Sequence, residues 1–234
     1  MENCSNHEWL DGVYDKLLVK MAAECQRVGS KIPYTTNKDG MYDDITETIW
    51  GKMGNEGTHV GFWTNGFWPG MLWQMYEATG DEEYHKAAVG VEERLDVLLK
   101  SPETVDHDVG FLFLLSSVAN YRKTGDKEAR RRGLMAASTL AARYNLDGKF
   151  IRAWNGPRQN RMTEMMGGGD IRGWMIIDCM MNIPLLYGTV GEIVVEKAGS
   201  LDLGVEGTMA VGAIFGYLAG CAANSLLVGL AVSF

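Results

Sequence analysis

Basic residues are in short supply in this sequence: 22 Lys and Arg stand against 30 Asp and Glu, for a formal charge of −8. Phosphate recognition relies on concentrated Lys and Arg, so the composition argues against a nucleic-acid binder, though local positive groups still suffice for a small anionic substrate. Cysteine is sparse as well. The four present, Cys4, Cys25, Cys179 and Cys221, form no CxxC pair and no dense framework, which argues against a disulfide scaffold and fits a reduced, cytoplasmic compartment. The N-terminal stretch MENCSNHEWLDG has acidic residues where a signal peptide carries positive charge before an apolar core, so nothing in it directs export. Between Asn6 and Tyr187 no segment alternates with period two over a useful length, and no sheet is expected there. The stretch QNRMTEMMGGGDIRGW lacks the GxGxxG or GxxxxGK arrangement. It reads as a flexible loop and not a phosphate cradle, and no cofactor is implied.

What is present is a globular composition of 234 residues, 46% of them apolar, ample for a real core. From Asn6 to Val28, Trp9, Val13, Leu17, Met21 and Cys25 recur every four positions, with Ser5 or Asn6 as N-cap and Gly29 at the end. That spacing predicts an amphipathic helix. The stretch to Thr64 has Pro, Gly, Asn and Asp at short intervals and reads as loop with one short turn of structure at most.

An internal repeat then sets the architecture. GFWPGMLWQMYEATGDEEYHKAA begins at Gly66 and GFLFLLSSVANYRKTGDKEARRRGLMAA at Gly110; each runs Gly-Phe, apolar segment, Thr-Gly-Asp turn, charged amphipathic segment, with a period of about 45 residues. The first helix of each unit is apolar almost all round and the second has one wet face, with Gly ending one helix and Asp81 or Asp126 capping the next. The pattern predicts an all-α toroid of helical hairpins over residues 1–187, with inner helices ringed by outer ones. A third inner helix is expected in GWMIIDCMMNIPLLY, but its Thr-Gly-Asp turn does not follow. Residues 188–234 form a separate tail, uncharged after Glu206, with Gly212, Gly216 and Gly220 at four-residue spacing. The tail is long enough to span a bilayer core as a hydrophobic helix, and 10 to 14 apolar residues would already suffice for a buried soluble one.

Asp178 is the first candidate for chemistry. An acid among Ile176, Ile177, Met180 and Met181, if buried and unpaired, has its charged form disfavoured, which suits a proton donor; capping the inner helix or bonding nearby backbone is the structural alternative. VDHDVGF opens the second unit as Asp178 opens the third, so a toroid brings Asp106 or Asp108 to the same end of the cavity as Asp178. There two carboxylates divide acid and base roles, or either aspartate serves as an N-cap. His107 lies between them, but three adjacent polar residues without further ligands do not make a metal site, and none is expected. Phe62, Trp63, Phe67, Trp68 and Trp73 gather around the entrance to the first unit and Trp154 lies in a loop, offering faces for sugar rings or simply core packing, and Asn65 offers a donor and an acceptor for hydroxyl groups.

Together, WTNGFWPGMLW, TGDEEY, HDVGF, TGDKEA, FIRAW and IIDCMMNIPLLY resemble glycoside hydrolase family 88, the unsaturated glucuronyl hydrolases, over residues 8–187. The resemblance implies an (α/α)6 barrel acting on lyase-generated oligosaccharides that carry a 4,5-unsaturated uronic acid at the non-reducing end. It implies that Asp178 is the general acid and base that protonates C4 and helps water add at C5, after which the hemiketal opens. It further implies that Asp108 bonds sugar hydroxyls and tunes Asp178, with Trp154 stacking on sugar and Asn65, Trp63 and His107 among the substrate contacts. An ordinary two-carboxylate glycosidase is the mechanistic alternative. The tail, through GE, EKAG and LDLGVEG, resembles the permease subunit of sugar or nucleoside ABC transporters. Two parents joined near PLLYG are therefore expected, with weak or no turnover by the chain as written. The rival reading is a membrane component inserted through residues 207–234 with a helical appendage.

Overall fold

The computed structural model describes residues 3–47, 60–102, 105–155 and 173–188. The chain divides into two compact units, Met1–Leu186 and Tyr187–Phe234, and the helices and strands that build the candidate site belong to the first. Among the described residues no helix is long and apolar enough to cross a membrane. The expected hydrophobic helix at residues 207–234 lies outside the described residues.

Helix α1 (Asn3–Val28) ends where expected: Gly29 takes φ +54° and its N–H donates to the Cys25 carbonyl at 2.9 Å. A side chain at positive φ is strained, which suits glycine at this stop. The apolar stripe is covered along only half its length. Met21, Cys25 and Val28 are buried, whereas Trp9 is 67% and Leu17 45% exposed.

The region expected to be loop contains a small antiparallel hairpin, β1 (Pro33–Thr36) and β2 (Tyr42–Asp44), so the expectation of no sheet is corrected. Its turn is made by Asn37, whose Oδ1 accepts from the N–H groups of Asp39 and Met41, and by Gly40 at φ +72°. Strands this short have no room for a period-two signal. Asp44 clips the hairpin to the next layer by accepting from both guanidinium nitrogens of Arg94, at 2.5 and 2.9 Å, and from Thr46.

Two helical hairpins follow, α2 (Phe67–Thr79) with α3 (Glu82–Lys100), then a long segment with α6 (Lys127–Ala141). The long segment runs α4 (Val109–Phe113), a π turn at Leu114–Val118, and α5 (Ala119–Thr124). The two Thr-Gly-Asp turns are built alike. The Thr79 hydroxyl donates to the Met75 carbonyl and accepts from Asp81 N–H; Gly80 sits at φ +69°; Asp81 accepts from Glu83 N–H. In the second copy Thr124 donates to the Asn120 carbonyl and accepts from Asp126 N–H, Gly125 sits at φ +72°, and Asp126 accepts from Ala129 N–H. Both caps satisfy donors that a helix start leaves orphaned. The first helices are less uniformly buried than expected, because α2 leaves Phe67 40% and Met71 44% exposed on one face.

The hairpins pack through Leu72, Trp73, Leu95, Leu98, Leu112, Phe113 and Leu140, all 2% exposed or less. Removing such a side chain from water is worth about 1.5–3 kcal/mol. A buried polar knot crosses this core. Glu92 accepts from Trp73 Nε1 at 2.7 Å and Asn120 Nδ2 at 3.0 Å, tying both first helices to α3. Burial raises the pKa of Glu92, and the hydrogen bonds from Asn120 and Trp73 partly oppose this.

Glycine permits the closest approach between the first helices. A Cβ at Gly66 would lie 2.0 Å from the Phe111 carbonyl oxygen and 2.7 Å from Leu112 Cα, backbone atoms that cannot swing aside. Gly66→Ala is therefore expected to destabilise the protein by about 2–4 kcal/mol or force the helix starts apart. Gly12→Ala, which meets nothing within 4 Å, is expected to be neutral or slightly stabilising by the same denaturant titration.

The Asp44 clip carries a pH signature. Burial pushes the Asp44 pKa up, but donation from Arg94 and Thr46 outweighs it and holds the carboxyl below its usual range. A depressed carboxylate contributes stability above its unfolded pKa and loses it as pH falls through the folded value. Asp44→Asn is expected to cost about 1–3 kcal/mol at neutral pH and to flatten the fall in stability below about pH 4, measured by urea unfolding across pH.

Candidate active site

The start of α4 and the short helix α7 (Asp178–Met181) are locked together. Asn182, fully buried, accepts from Phe111 N–H through Oδ1 at 2.7 Å and donates through Nδ2 to the Asp178 carbonyl at 2.8 Å. Gly110 makes room for it: a Cβ there would lie 2.4 Å from Asn182 Oδ1. Thus Gly66 abuts the start of α4, and Gly110 abuts the turn that carries Asp178. The three motifs read in sequence as WTNGF, HDVGF and IIDCMMN meet in that order.

Asp108 precedes α4 but makes no side-chain cap hydrogen bond. Asp106 Oδ1 accepts from Asp108 N–H at 3.1 Å, a local turn that leads into the helix. His107, 2% exposed, places Nδ1 2.9 Å from the Ala153 carbonyl and Nε2 3.3 Å from Asp108 Oδ1. Ala153 is held in turn by Arg143, a buried arginine whose guanidinium donates to the carbonyls of Ala153, Arg152 and Val105 and to Asn155 Oδ1. Asn155 Nδ2 donates to the Val105 carbonyl at 2.7 Å. The loop FIRAWN, entered through the short hairpin β3 (Tyr144–Asn145) and β4 (Phe150–Ile151), is thereby stapled against VDHD. This second hairpin also departs from the expected absence of sheet.

Asp178 is half-buried, and the expectation that it sits buried among its apolar neighbours is corrected. Ile177 is 78% and Met181 60% exposed, so the flanking side chains do not enclose the acid. The N-cap position of α7 belongs to Ile177, and α7 is four residues long, shorter than the expected inner helix. Asp178 nonetheless shares a locale with Asp108. Burial raises the pKa of the Cys179 thiol, a hydrogen bond from Ile176 N–H and the charge of Arg143 oppose the rise, and the charges of Asp108 and Asp178 add to it. Both carboxylates therefore act on one buried sulfur.

The aromatics divide between the two roles foreseen for them. Trp73 donates to Glu92 and Trp68 to the Gly29 carbonyl at 2.9 Å, both buried in the core. Trp63, 45% exposed, lies 5.8 Å from Phe67 and 6.1 Å from Phe111, an open aromatic surface at the helix starts. Half-buried Trp154 stands edge-on to His107 at 5.9 Å. Asn65 is fully buried with Nδ2 on the Val60 carbonyl at 2.8 Å, a position that secures the preceding loop. Sequence reasoning singled out neither Asn182 nor Arg143; the signal for Asn182 was its place four residues after Asp178, one helical turn on.

Asp106, His107 and Asp108 present ligand-type atoms within 4.8 Å of one another. The His107 nitrogen on the Ala153 carbonyl must carry a proton and is lost to a metal, leaving Nε2 and the two flanking carboxylates, one of them accepting from the Asp108 N–H.

The described part of the first unit is thus a series of paired helices with carboxylates and aromatics gathered at the helix starts. No model of a known protein family matches the chain. Homology is nevertheless evident in sequence and structure: the chain is 35% identical over 183 residues to the unsaturated glucuronyl hydrolase of Bacillus sp. (strain GL1), covering 76% of this chain and 41% of that protein. The crystal structure of an unsaturated glucuronyl hydrolase from Bacillus sp. GL1 superposes with TM-score 0.55 at 31% identity, over 83% of this chain and 45% of that one. A UGL variant with dGlcA-Glc-Rha-Glc gives TM-score 0.58 at 30% identity, over 82% and 44%. The chain thus spans less than half the length of these proteins. The relatives found lend no support to the likeness of the tail to a permease subunit.

Asn182→Ala removes both arms of the lock. It is expected to lower stability by about 1–3 kcal/mol and to speed amide exchange at Phe111 selectively, read by hydrogen exchange.

Proposed function

We propose that this chain carries the acid/base part of an unsaturated glucuronyl hydrolase, acting on the unsaturated uronic acid at the non-reducing end of lyase-generated oligosaccharides. The observation that carries this reading is the lock at Asn182, which joins the Asp108 segment to the Asp178 segment, in a chain homologous to such enzymes.

In this mechanism the protonated Asp178 carboxyl gives its proton to C4 of the vinyl ether. Positive charge develops at C5, stabilised by the ring oxygen. A water molecule adds there, with the Asp178 carboxylate accepting its proton, so the acid is regenerated. The hemiketal so formed at C5 opens by breaking the bond from C5 to the ring oxygen, which leaves a ketone at C5 and a hydroxyl on C1. C1 is then a hemiacetal, and its collapse to an aldehyde breaks the bond to the aglycone, which leaves as an alcohol carrying that hydroxyl's proton. Asp108 fits the supporting role, bonding sugar hydroxyls and acting electrostatically on Asp178, since both carboxylates influence Cys179. The open surface of Trp63, Phe67 and Phe111 suits the apolar face of a sugar ring, and Trp154 is the second stacking candidate. Asn65 and His107, being buried, are read as supports of the sugar-contacting groups. The six-hairpin toroid, of which this chain supplies the first hairpins, belongs to this proposal, as does an intracellular site of action on oligosaccharides already cut by lyases.

The test is loss of the ultraviolet absorbance of an unsaturated disaccharide. Asp178→Asn is expected to reduce whatever rate the chain shows by about 10²–10⁴-fold, the usual contribution of a general acid. Asp178→Asn turning over at the wild-type rate would remove Asp178 from the mechanism. Trp63→Ala is expected to raise KM more than it lowers kcat, because stacking is made in ground state and transition state alike.

A further inference from the structure

His107 is surrounded by acceptors. Its Nδ1 lies 2.9 Å from the Ala153 carbonyl oxygen, which can only accept, so Nδ1 carries a proton. That carbonyl also accepts from the His107 backbone N–H at 3.1 Å and from Arg143 Nη2 at 2.7 Å, so its position is fixed from three sides. With Nδ1 protonated, a neutral ring presents the bare lone pair of Nε2 to Asp108 Oδ1, 3.3 Å away. The ring is 2% exposed, and no hydrogen-bond partner satisfies Nε2 among the described residues. Two lone pairs facing each other out of water repel; one proton between them converts the repulsion into a charge-assisted hydrogen bond.

We infer that His107 and Asp108 hold a shared proton in the resting protein, and that His107 is a positioning residue which fixes the direction and the charge of the Asp108 carboxyl. The pair then carries no net charge, whether written as imidazolium with carboxylate or as imidazole with carboxylic acid. The other charged groups facing the ring are Asp106, whose Oδ1 is 3.9 Å from Nδ1, and Arg143, which shares the Ala153 carbonyl. In the hydration reaction proposed for this site, on which this inference rests for its purpose, a neutral pair lowers the negative charge beside Asp178. Asp178 thus meets substrate next to one carboxylate that is already compensated. Trp154, edge-on to His107 at 5.9 Å, is seated against the same ring.

The proton can be read without substrate. In the full chain with ¹⁵N-labelled histidine and ¹³C-labelled aspartate, either His107 Nε2 is expected to show a protonated-type nitrogen shift or Asp108 a carboxylic-acid-type carbon shift at pH 7. Asp108→Asn is expected to abolish that signature at pH 7, since the amide donates to Nε2 and the ring becomes neutral. Asp106→Asn is expected to leave it in place. An unprotonated Nε2 beside an ionised Asp108 at pH 7 in the wild type overturns the inference, as does an imidazolium that survives Asp108→Asn. Stoichiometric uptake of zinc that displaces the proton at neutral pH overturns it as well. A chain that proves inactive on unsaturated disaccharides while keeping the signature refutes the proposed function alone. An active chain without the signature refutes only the shared proton.

Discussion

The closeness of approach between successive helix starts is the constraint on which the rest of this structure depends. At Gly66 and Gly110 the neighbouring backbone or side chain comes so near that no Cβ fits. Helices that touch through backbone at their starts gather whatever their first turns carry. Here the first turns carry Trp63 and Phe67, then Asp108 and Phe111, then Asp178. The chemistry-bearing residues converge because the glycines let them, and Asn182 then fixes the distance by bonding both sides of the contact.

A second layer of control lies behind these residues. Arg143 orders the loop that carries Trp154 by donating to three carbonyls and to Asn155. A buried guanidinium satisfied by neutral acceptors keeps its charge, and that charge reaches Cys179, where it opposes the two aspartates. Around Cys179 the charge of Arg143 thus works against those of Asp108 and Asp178. Glu92 plays a comparable part deeper in the core, where it orients Trp73 and Asn120 without taking part in the site.

Apolar surface left open marks both extremes of the helical series: the first half of α1, from Trp9 to Leu17, and the segment around Asp178, with Met175, Ile177, Met180 and Met181. The openness at the second extreme explains why Asp178 lacks the enclosure expected for a proton donor. In the proposed toroid, further hairpins would lie against these faces, and the desolvation of Asp178 would come from them.

Much of this was legible in the chain itself. The end of α1 at Gly29, the two Thr-Gly-Asp turns with Asp81 and Asp126 as caps, and the pairing of helices into hairpins follow from local stereochemistry: a left-handed glycine and a capping carboxylate need no distant partner to act. What only tertiary structure decided involves contacts between residues far apart in sequence. The hairpins β1–β2 and β3–β4 are too short to print a period and exist because Asp44 and Arg143 find partners in other layers. Whether Trp63 is core or surface and how far Asp178 is buried were undecidable locally. Burial and hydrogen bonding are properties of the space around a side chain, and that space is furnished by segments the local sequence does not name.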